Sequence, residues 1–222
     1  MMTRTTHKFM LLLMLNAALV TAAHAQSQKL SDWPPAVQAA VREQSHGARL
    51  RELVKEIENG QTFYAFEFMA KGRERTVRVT ADGKVAEVEE EVELQELPAP
   101  VQATVRAQSQ GARILGFSRE NKDGAAIYEV ELKVGARLTL GGHHKDVSIS
   151  ADGAVVAVEE EILLSSLPVA ARATIQQKTG KDKLEMVESV TKGGAFAYYE
   201  AHLKTPDGAL EIKVSPAGAL VN

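Results

Sequence analysis

The residue types best suited to metal chemistry stand together at His143, His144 and Asp146. Imidazole nitrogens ligate Zn²⁺ and Cu²⁺, and a carboxylate can complete such a set. Adjacent side chains on a strand point to opposite faces, however, and no further ligand lies close by in the sequence. The pattern is more typical of a solvated hairpin tip. We therefore predict no metal ion, with these three residues as the candidates if one binds.

Two runs of three glutamates, 89–91 and 159–161, offer a second group of possible cation ligands. Hard cations such as Ca²⁺ need several oxygens directed at one point. Consecutive residues of a strand alternate between its two faces, so three neighbouring glutamates do not converge. The runs are more typical of a solvated sheet edge that discourages aggregation between strands.

The sequence lacks the motifs of common enzymes. It holds no glycine-rich phosphate loop, no His-Glu-x-x-His and no serine elbow. It has no cysteine, which excludes disulfides, thiolate metal sites and thiol nucleophiles. We predict a protein that is not an enzyme, with no catalytic residues and no cofactor.

The chain repeats one pattern three times, which is typical of an architecture built from similar units. Related helix-forming segments occupy residues 35–50, 100–114 and, more loosely, 167–180. A tyrosine-led strand follows each of them at a matched distance, at Tyr64, Tyr128 and Tyr199. The repeat predicts the building unit and says much less about a partner.

Each repeat should contain one helix and four strands. Turn pairs such as Asn59-Gly60 and Asp82-Gly83 between alternating segments indicate antiparallel hairpins. Gly47 and Gly111 are placed to end helices in a left-handed conformation. The sequence predicts an α+β fold of three tandem units, each with one helix packed on a four-stranded antiparallel meander sheet. The predicted units span residues 26–96, 97–166 and 167–222.

The side of each predicted sheet that faces away from its helix should be open to solvent or to a partner. It mixes aromatic and apolar side chains with polar ones, which is the usual composition of a binding patch. The predicted partner-binding residues are Phe63, Met69, Ile127, Glu129, Glu131, Tyr198 and His202.

The first 25 residues have the order of a bacterial secretory signal peptide. Arg4 and Lys8 precede an apolar run, and Ala23-His24-Ala25 forms a small-x-small cleavage site. We expect residues 1–25 to be removed on export. The mature protein would then begin at Gln26 and be periplasmic or secreted, with no membrane span.

The charge balance is acidic. The chain has 26 basic and 29 acidic residues and a net charge of −3, which becomes −5 once Arg4 and Lys8 leave with the leader. Such a balance argues against nucleic acid or an anionic membrane as the partner. We expect the partner to be an exported protein, and the sequence leaves the oligomeric state open.

Short motifs relate the chain to a known family. They are Tyr64-Ala-Phe-Glu with Asp82-Gly-Lys-Val85, Tyr128-Glu-Val-Glu with Asp152-Gly-Ala-Val155, and a degraded third copy, Tyr199-Glu-Ala-His with Ala217-Gly-Ala-Leu220. Across residues 30–222 the chain resembles the PepSY-like, β-lactamase-inhibitor-like family. The resemblance implies a protein without enzymatic activity that binds or inhibits proteins such as secreted proteases or β-lactamases. No residues here match a family inhibitory loop.

The sequence as a whole favours an exported binding module that acts on a protein through open sheet faces. The alternative is a periplasmic binder of a small molecule or metal ion, using acidic and histidine side chains of the sheet. A hydrolase with an unrecognised site is a third hypothesis.

Overall fold

The structure is a computed structural model that describes residues 29–58, 61–122, 124–135, 142–206 and 208–221. The predicted signal peptide lies outside the described residues, and so does most of the extra segment between Gly135 and His143.

The described residues hold three helices, each preceded by a short 3₁₀ turn and followed by a run of strands, and there are eleven strands in all. The helices are α1 (Pro35–Ser45), α2 (Ala99–Gln108) and α3 (Val169–Thr179). The strands are β1 (Leu50–Glu58), β2 (Gln61–Ala70), β3 (Arg73–Thr80), β4 (Val85–Glu91), β5 (Ala112–Lys122), β6 (Ala125–Val134), β7 (His143–Ser150), β8 (Val155–Glu161), β9 (Lys183–Lys192), β10 (Ala195–Thr205) and β11 (Gly208–Val214).

All eleven strands form one antiparallel sheet in simple sequence order, and its first and last strands, β1 and β11, contact each other. The prediction of three units, each with its own four-stranded sheet, is therefore wrong. The described part of the chain holds a single nearly closed sheet, and only three strands follow α3. The boundaries proposed for the three units stay a prediction.

The pairs β4–β5 and β8–β9 make the sheet continuous. Glu89 pairs with Glu120 in the first, and Glu159 pairs with Val190 in the second. Free strand edges expose unpaired backbone groups, and pairing the last strand of one repeat with the first strand of the next satisfies them. The glutamate runs, which we expected at solvated edges, therefore lie within the sheet.

The helices cover one face of the sheet, and each buries a narrow apolar stripe. In the first repeat, Val37 and Val41 of α1 pack on Phe66 and Val77 of the sheet. Corresponding clusters lie under the other two helices. Val101 of α2 packs with Val130 of the sheet, and Ile175 of α3 packs with Ala201. Apart from these stripes and Ser45, the helix residues are exposed or partly exposed, so the helices lie on the outside and the helix-free face is turned inward.

Two tight β-turns fix the helices to the sheet. Gly83 and Gly153 have φ values of +84° and +90°, and a Cβ added to them would lie 2.7 Å from the Ala36 carbonyl oxygen and 2.9 Å from the Pro100 carbonyl oxygen, respectively. Glycine is thus required twice over, for its left-handed backbone and for the close approach of the helix. The predicted left-handed Gly47 and Gly111 are confirmed, with φ of +79° and +77°.

Candidate functional site

The inward, helix-free face of the sheet, called the inner face below, is lined by charged side chains that are buried. Residues on it alternate with the apolar residues that pack against the helices, and antiparallel register brings them side by side across strands. The buried polar side chains of the inner face are Glu56, Arg78, Glu87, Ser118, Glu131, Glu159, Glu188, Glu200, His202, Glu211 and Lys213. Such groups are costly to bury unless paired or ligated, which makes this face the candidate site.

Glu200, His202 and Glu211 form the densest group of potential ligands. Glu200 and His202 are two positions apart on β10, so both point inward, and register places Glu211 of β11 directly opposite His202. One ligand atom from each of the three lies within 4.8 Å of the others. All three are buried, so the group is enclosed by protein.

Glu188 holds the imidazole of His202 in one orientation. Its Oε2 lies 2.7 Å from His202 Nε2, and both side chains are buried. On the other side of the ring, His202 Nδ1 lies 3.6 Å from Oε1 of Glu211. A carboxylate that accepts the Nε2 proton leaves the Nδ1 lone pair directed at Glu211, since a neutral imidazole carries one proton.

The carboxyl groups around this cluster have pKa values above their ordinary ones. Burial, reinforced by Glu200 and Glu188, raises the pKa of Glu159 to about 9. Burial also raises the pKa of Asp146 to about 8, with Glu131 as the leading charged neighbour. The pKa of Glu211 is raised well above its ordinary value by burial and by the adjacent Glu200. These acids crowd together in a poorly solvated space, so they keep their protons to a higher pH than exposed carboxyl groups do.

Three buried carboxyl oxygens of this region have no hydrogen-bond partner within the described part of the chain: Asp146 Oδ1, Glu159 Oε2 and Glu188 Oε1. Glu188 is 0 % exposed and Glu159 is 2 % exposed. Buried polar atoms are rarely left unpaired in native proteins. These oxygens therefore mark a place where a cationic or hydrogen-bond-donating ligand would be accommodated.

Near β1, an arginine side chain neutralises the acids of the inner face. There Arg78 lies 3.0 Å from Glu56 and 3.9 Å from Glu87, and its guanidinium stacks 3.7 Å from the ring centre of Phe63. An internal cation thus already occupies this region. The region between β7 and β11 holds more acids than bases, with Lys192 and Lys213 as its buried or partly buried cations.

The structure spreads the residues predicted to bind a partner over the inner face. Phe63, Glu131, Tyr198 and His202 are buried, and Met69, Ile127 and Glu129 are partly buried. Met69 lies by the β2–β3 turn and Ile127 near the opposite ends of the strands. They do not form one exposed patch, and their role in binding a protein stays a prediction.

The two adjacent histidines point apart, as the strand pattern predicts. His143 Nε2 lies 2.7 Å from Glu160 Oε1, whereas His144 Nδ1 lies 3.2 Å from Glu131 Oε1. Asp146 shares the inner face with His144. The three predicted metal candidates therefore do not converge on one point.

Sequence reasoning placed His202 on the helix-free face and did not find its acidic neighbours on β9 and β11. A two-residue turn at Asp207-Gly208 would have set His202 opposite Lys213, whereas the observed pairing of Thr205 with Gly208 sets it opposite Glu211. Glu188 was not found either, because an irregularity between Phe196 and Tyr198 shifts the register of the β9–β10 hairpin and sets Glu188 opposite Glu200.

No protein-family model matches the sequence, and no curated protein matches it significantly. Several solved structures match part of the chain. A protein of Bacteroides eggerthii, predicted to be periplasmic, matches with a TM-score of 0.48 and 14 % identity, over 58 % of this chain and 88 % of its own. A DUF2874 family protein of Bacteroides uniformis matches with a TM-score of 0.46 and 15 % identity, over 57 % of this chain and 88 % of its own.

A BLIP-like protein of Bacteroides fragilis matches with a TM-score of 0.43 and 16 % identity, over 58 % of this chain and 86 % of its own. Likenesses of this extent leave the family of the chain unassigned. Among the described helices, none has the length and apolar character needed to cross a bilayer.

Proposed function

We propose that the chain is an exported binding protein without enzymatic activity, and that the acidic part of its inner face takes a cationic ligand. The proposal keeps the expectation of a binding module and assigns the sheet a different occupant, a metal ion or another small cation in place of a protein. Its location outside the cytoplasm rests on the signal-peptide pattern of residues 1–25.

One observation carries the proposal: Glu159 and Glu188 are buried side chains, each with a carboxyl oxygen that no described residue satisfies. An unsatisfied buried acceptor costs about 1–3 kcal/mol, and more when charged. A bound cation would remove that cost, so the folded chain should favour it. An anionic ligand would add repulsion to carboxyl groups that already repel one another.

The test is thermal unfolding of the mature-length protein at pH 8 with Zn²⁺, Ca²⁺, Mg²⁺ or spermidine, each over a range of concentrations. A ligand that binds only the folded state raises Tm as its concentration rises. We expect at least one of these cations to do so. Glu159→Gln should weaken the effect, whereas Glu43→Gln, on the exposed side of α1, should not.

Absence of any concentration-dependent rise in Tm with all four cations would contradict the proposal. A rise that is equal in wild type and Glu159→Gln would move the binding site away from the inner face.

A protein partner is the second candidate, and two exposed apolar side chains favour it. Leu163 and Val169 flank the turn before α3, and each is 74 % exposed. The matching positions before α2 hold Glu93 and Ala99. Large apolar side chains exposed in one repeat alone are a common mark of a contact surface.

The corresponding test is inhibition of a purified secreted serine protease and of a class A β-lactamase by the protein. If either is the partner, the double variant Leu163→Glu/Val169→Glu should lose inhibition, while Val85→Glu, at another exposed apolar position, should retain it. Lack of inhibition of both enzymes would rule out this form of the second candidate.

A further inference from the structure

We propose that Glu200, His202 and Glu211 form a binding site for one divalent transition-metal ion of the Zn²⁺ type, with Glu188 as the residue that positions the histidine. The inference rests on the proposed function and specifies its ligand. It assigns to metal binding a histidine that the sequence pattern alone placed among residues for a protein partner.

The separation of the potential ligand atoms suits such an ion. Metal–ligand distances of about 2.0–2.2 Å place neighbouring ligand atoms of a tetrahedral site about 3.3–3.6 Å apart. The distance between His202 Nδ1 and Glu211 Oε1 is 3.6 Å, and the group that includes Glu200 lies within 4.8 Å. Because β10 and β11 are paired through these positions, the backbone holds the three residues side by side.

The hydrogen bond from His202 to Glu188 has the form found behind metal-bound histidines. A ligating imidazole usually donates its second ring proton to a carboxylate, which fixes its tautomer and makes the other nitrogen a better donor. Here Glu188 Oε2 lies 2.7 Å from Nε2, and Nδ1 lies 3.6 Å from Oε1 of Glu211. Glu188 is buried, so solvent does not compete for this bond.

The donor set selects the class of metal. One imidazole nitrogen and two carboxyl oxygens suit Zn²⁺, Co²⁺ and Cu²⁺. Ca²⁺ takes six to eight oxygen ligands, and Mg²⁺ keeps several waters in a near-octahedral shell. The enclosed cluster offers too few oxygens for either, so it should discriminate against both.

The charges around the cluster favour a dication despite two nearby ammonium groups. Lys213 lies opposite Glu200 in the sheet, and Lys192 lies 5.2 Å from the ring centre of Tyr198. Both oppose a bound cation. Glu159 and Glu188 add two further acids beside the proposed ligands, and acids outnumber bases in this region.

The test is calorimetric titration of the metal-free, mature-length protein with Zn²⁺ at pH 7.5. Because the site is enclosed, the Zn²⁺ content is also measured after dialysis of samples that were incubated folded, or refolded, with the ion. We expect one Zn²⁺ for each chain, and a visible absorption band typical of four-coordinate Co²⁺ when Co²⁺ replaces it.

Variants distinguish the metal ligand His202 from the positioning residue Glu188. His202→Ala, or His202→Gln if the first variant fails to fold, should abolish this site and the Co²⁺ band. Glu188→Gln should weaken Zn²⁺ binding about 10- to 100-fold and leave the stoichiometry at one. His144→Ala is the matched control on the same face, and it should leave affinity and spectrum unchanged.

Zn²⁺ binding that survives in folded His202→Gln, or that disappears in His144→Ala, would overturn the inference. If Ca²⁺ or spermidine raises Tm while Zn²⁺ does not bind at His202, the inference fails and the proposed function stands. If no cation binds, both fail.

Discussion

Arg78 and Glu56 form an ion pair on the inner face, with 3.0 Å between Nε and Oε2 and side chains that are 3 % and 2 % exposed. Glu87 lies 3.9 Å from the same guanidinium. Removing one partner of a buried pair leaves an uncompensated charge in a poorly solvated space. The arginine therefore keeps two buried acids tolerable at this end of the sheet.

Arg78→Met should lower the free energy of unfolding by about 3–5 kcal/mol, because it leaves Glu56 and Glu87 without their cation. Urea unfolding measures the loss. Arg75→Met on the same strand is the control, since Arg75 pairs at 3.2 Å with a partly exposed Glu90 and should cost about 1 kcal/mol or less. Equal losses in the two variants would contradict the role assigned to burial.

Stability should fall as pH rises from about 5 to 9. The folded chain raises the pKa of Asp146 to about 8 and that of Glu159 to about 9, whereas the unfolded chain ionises both near their ordinary values of 3.8 and 4.5. The folded state thus binds more protons across this interval, so the stabilisation present at low pH is lost as pH passes through the folded values.

Chemical unfolding at pH 5, 7 and 9 in a metal chelator checks this dependence. Glu159→Gln should flatten it and raise stability at pH 9 relative to wild type, because the amide cannot ionise. The exposed Glu43→Gln should reproduce the wild-type profile. Wild-type stability that increases between pH 5 and 9 would show that the acids do not control it.

Gly83→Ala should cost more than Gly111→Ala. Both glycines have positive φ, at +84° and +77°, and share a backbone cost of about 1 kcal/mol. At Gly83 the added Cβ would also lie 2.7 Å from the Ala36 carbonyl oxygen, whereas nothing lies within 4 Å at Gly111. Melting curves for the two variants measure the difference, and a larger loss at Gly111 would contradict the docking of the turn on α1.

Export should remove the first 25 residues. Expression in a Gram-negative host, followed by N-terminal sequencing of the periplasmic fraction, should give a chain that begins at Gln26, since Ala23-His24-Ala25 precedes it. Changing Ala25 to a bulky residue should slow processing. A periplasmic chain that begins at Met1 would contradict the prediction.

Features encoded in short stretches were predictable from sequence. The left-handed Gly47 and Gly111, which follow the helix ends at Ser45 and Gln108, depend on backbone preferences within a few residues. The same holds for hairpins closed by turn pairs such as Asp152-Gly153. The alternation along β10 likewise placed Tyr198 and His202 on the helix-free face. These predictions needed no knowledge of the neighbouring repeat.

The sequence by itself determined the threefold pattern of a helix followed by strands and the side of each strand that faces a helix. Only the tertiary structure decided that β4 pairs with β5 and β8 with β9, and that the sheet curls until β1 contacts β11. Pairing between repeats joins residues far apart in the chain, and alternation looks the same whether a polar face meets solvent or the inside of a curled sheet. That closure buries Glu188 beside His202 and turns a face expected to be open into an enclosed acidic site.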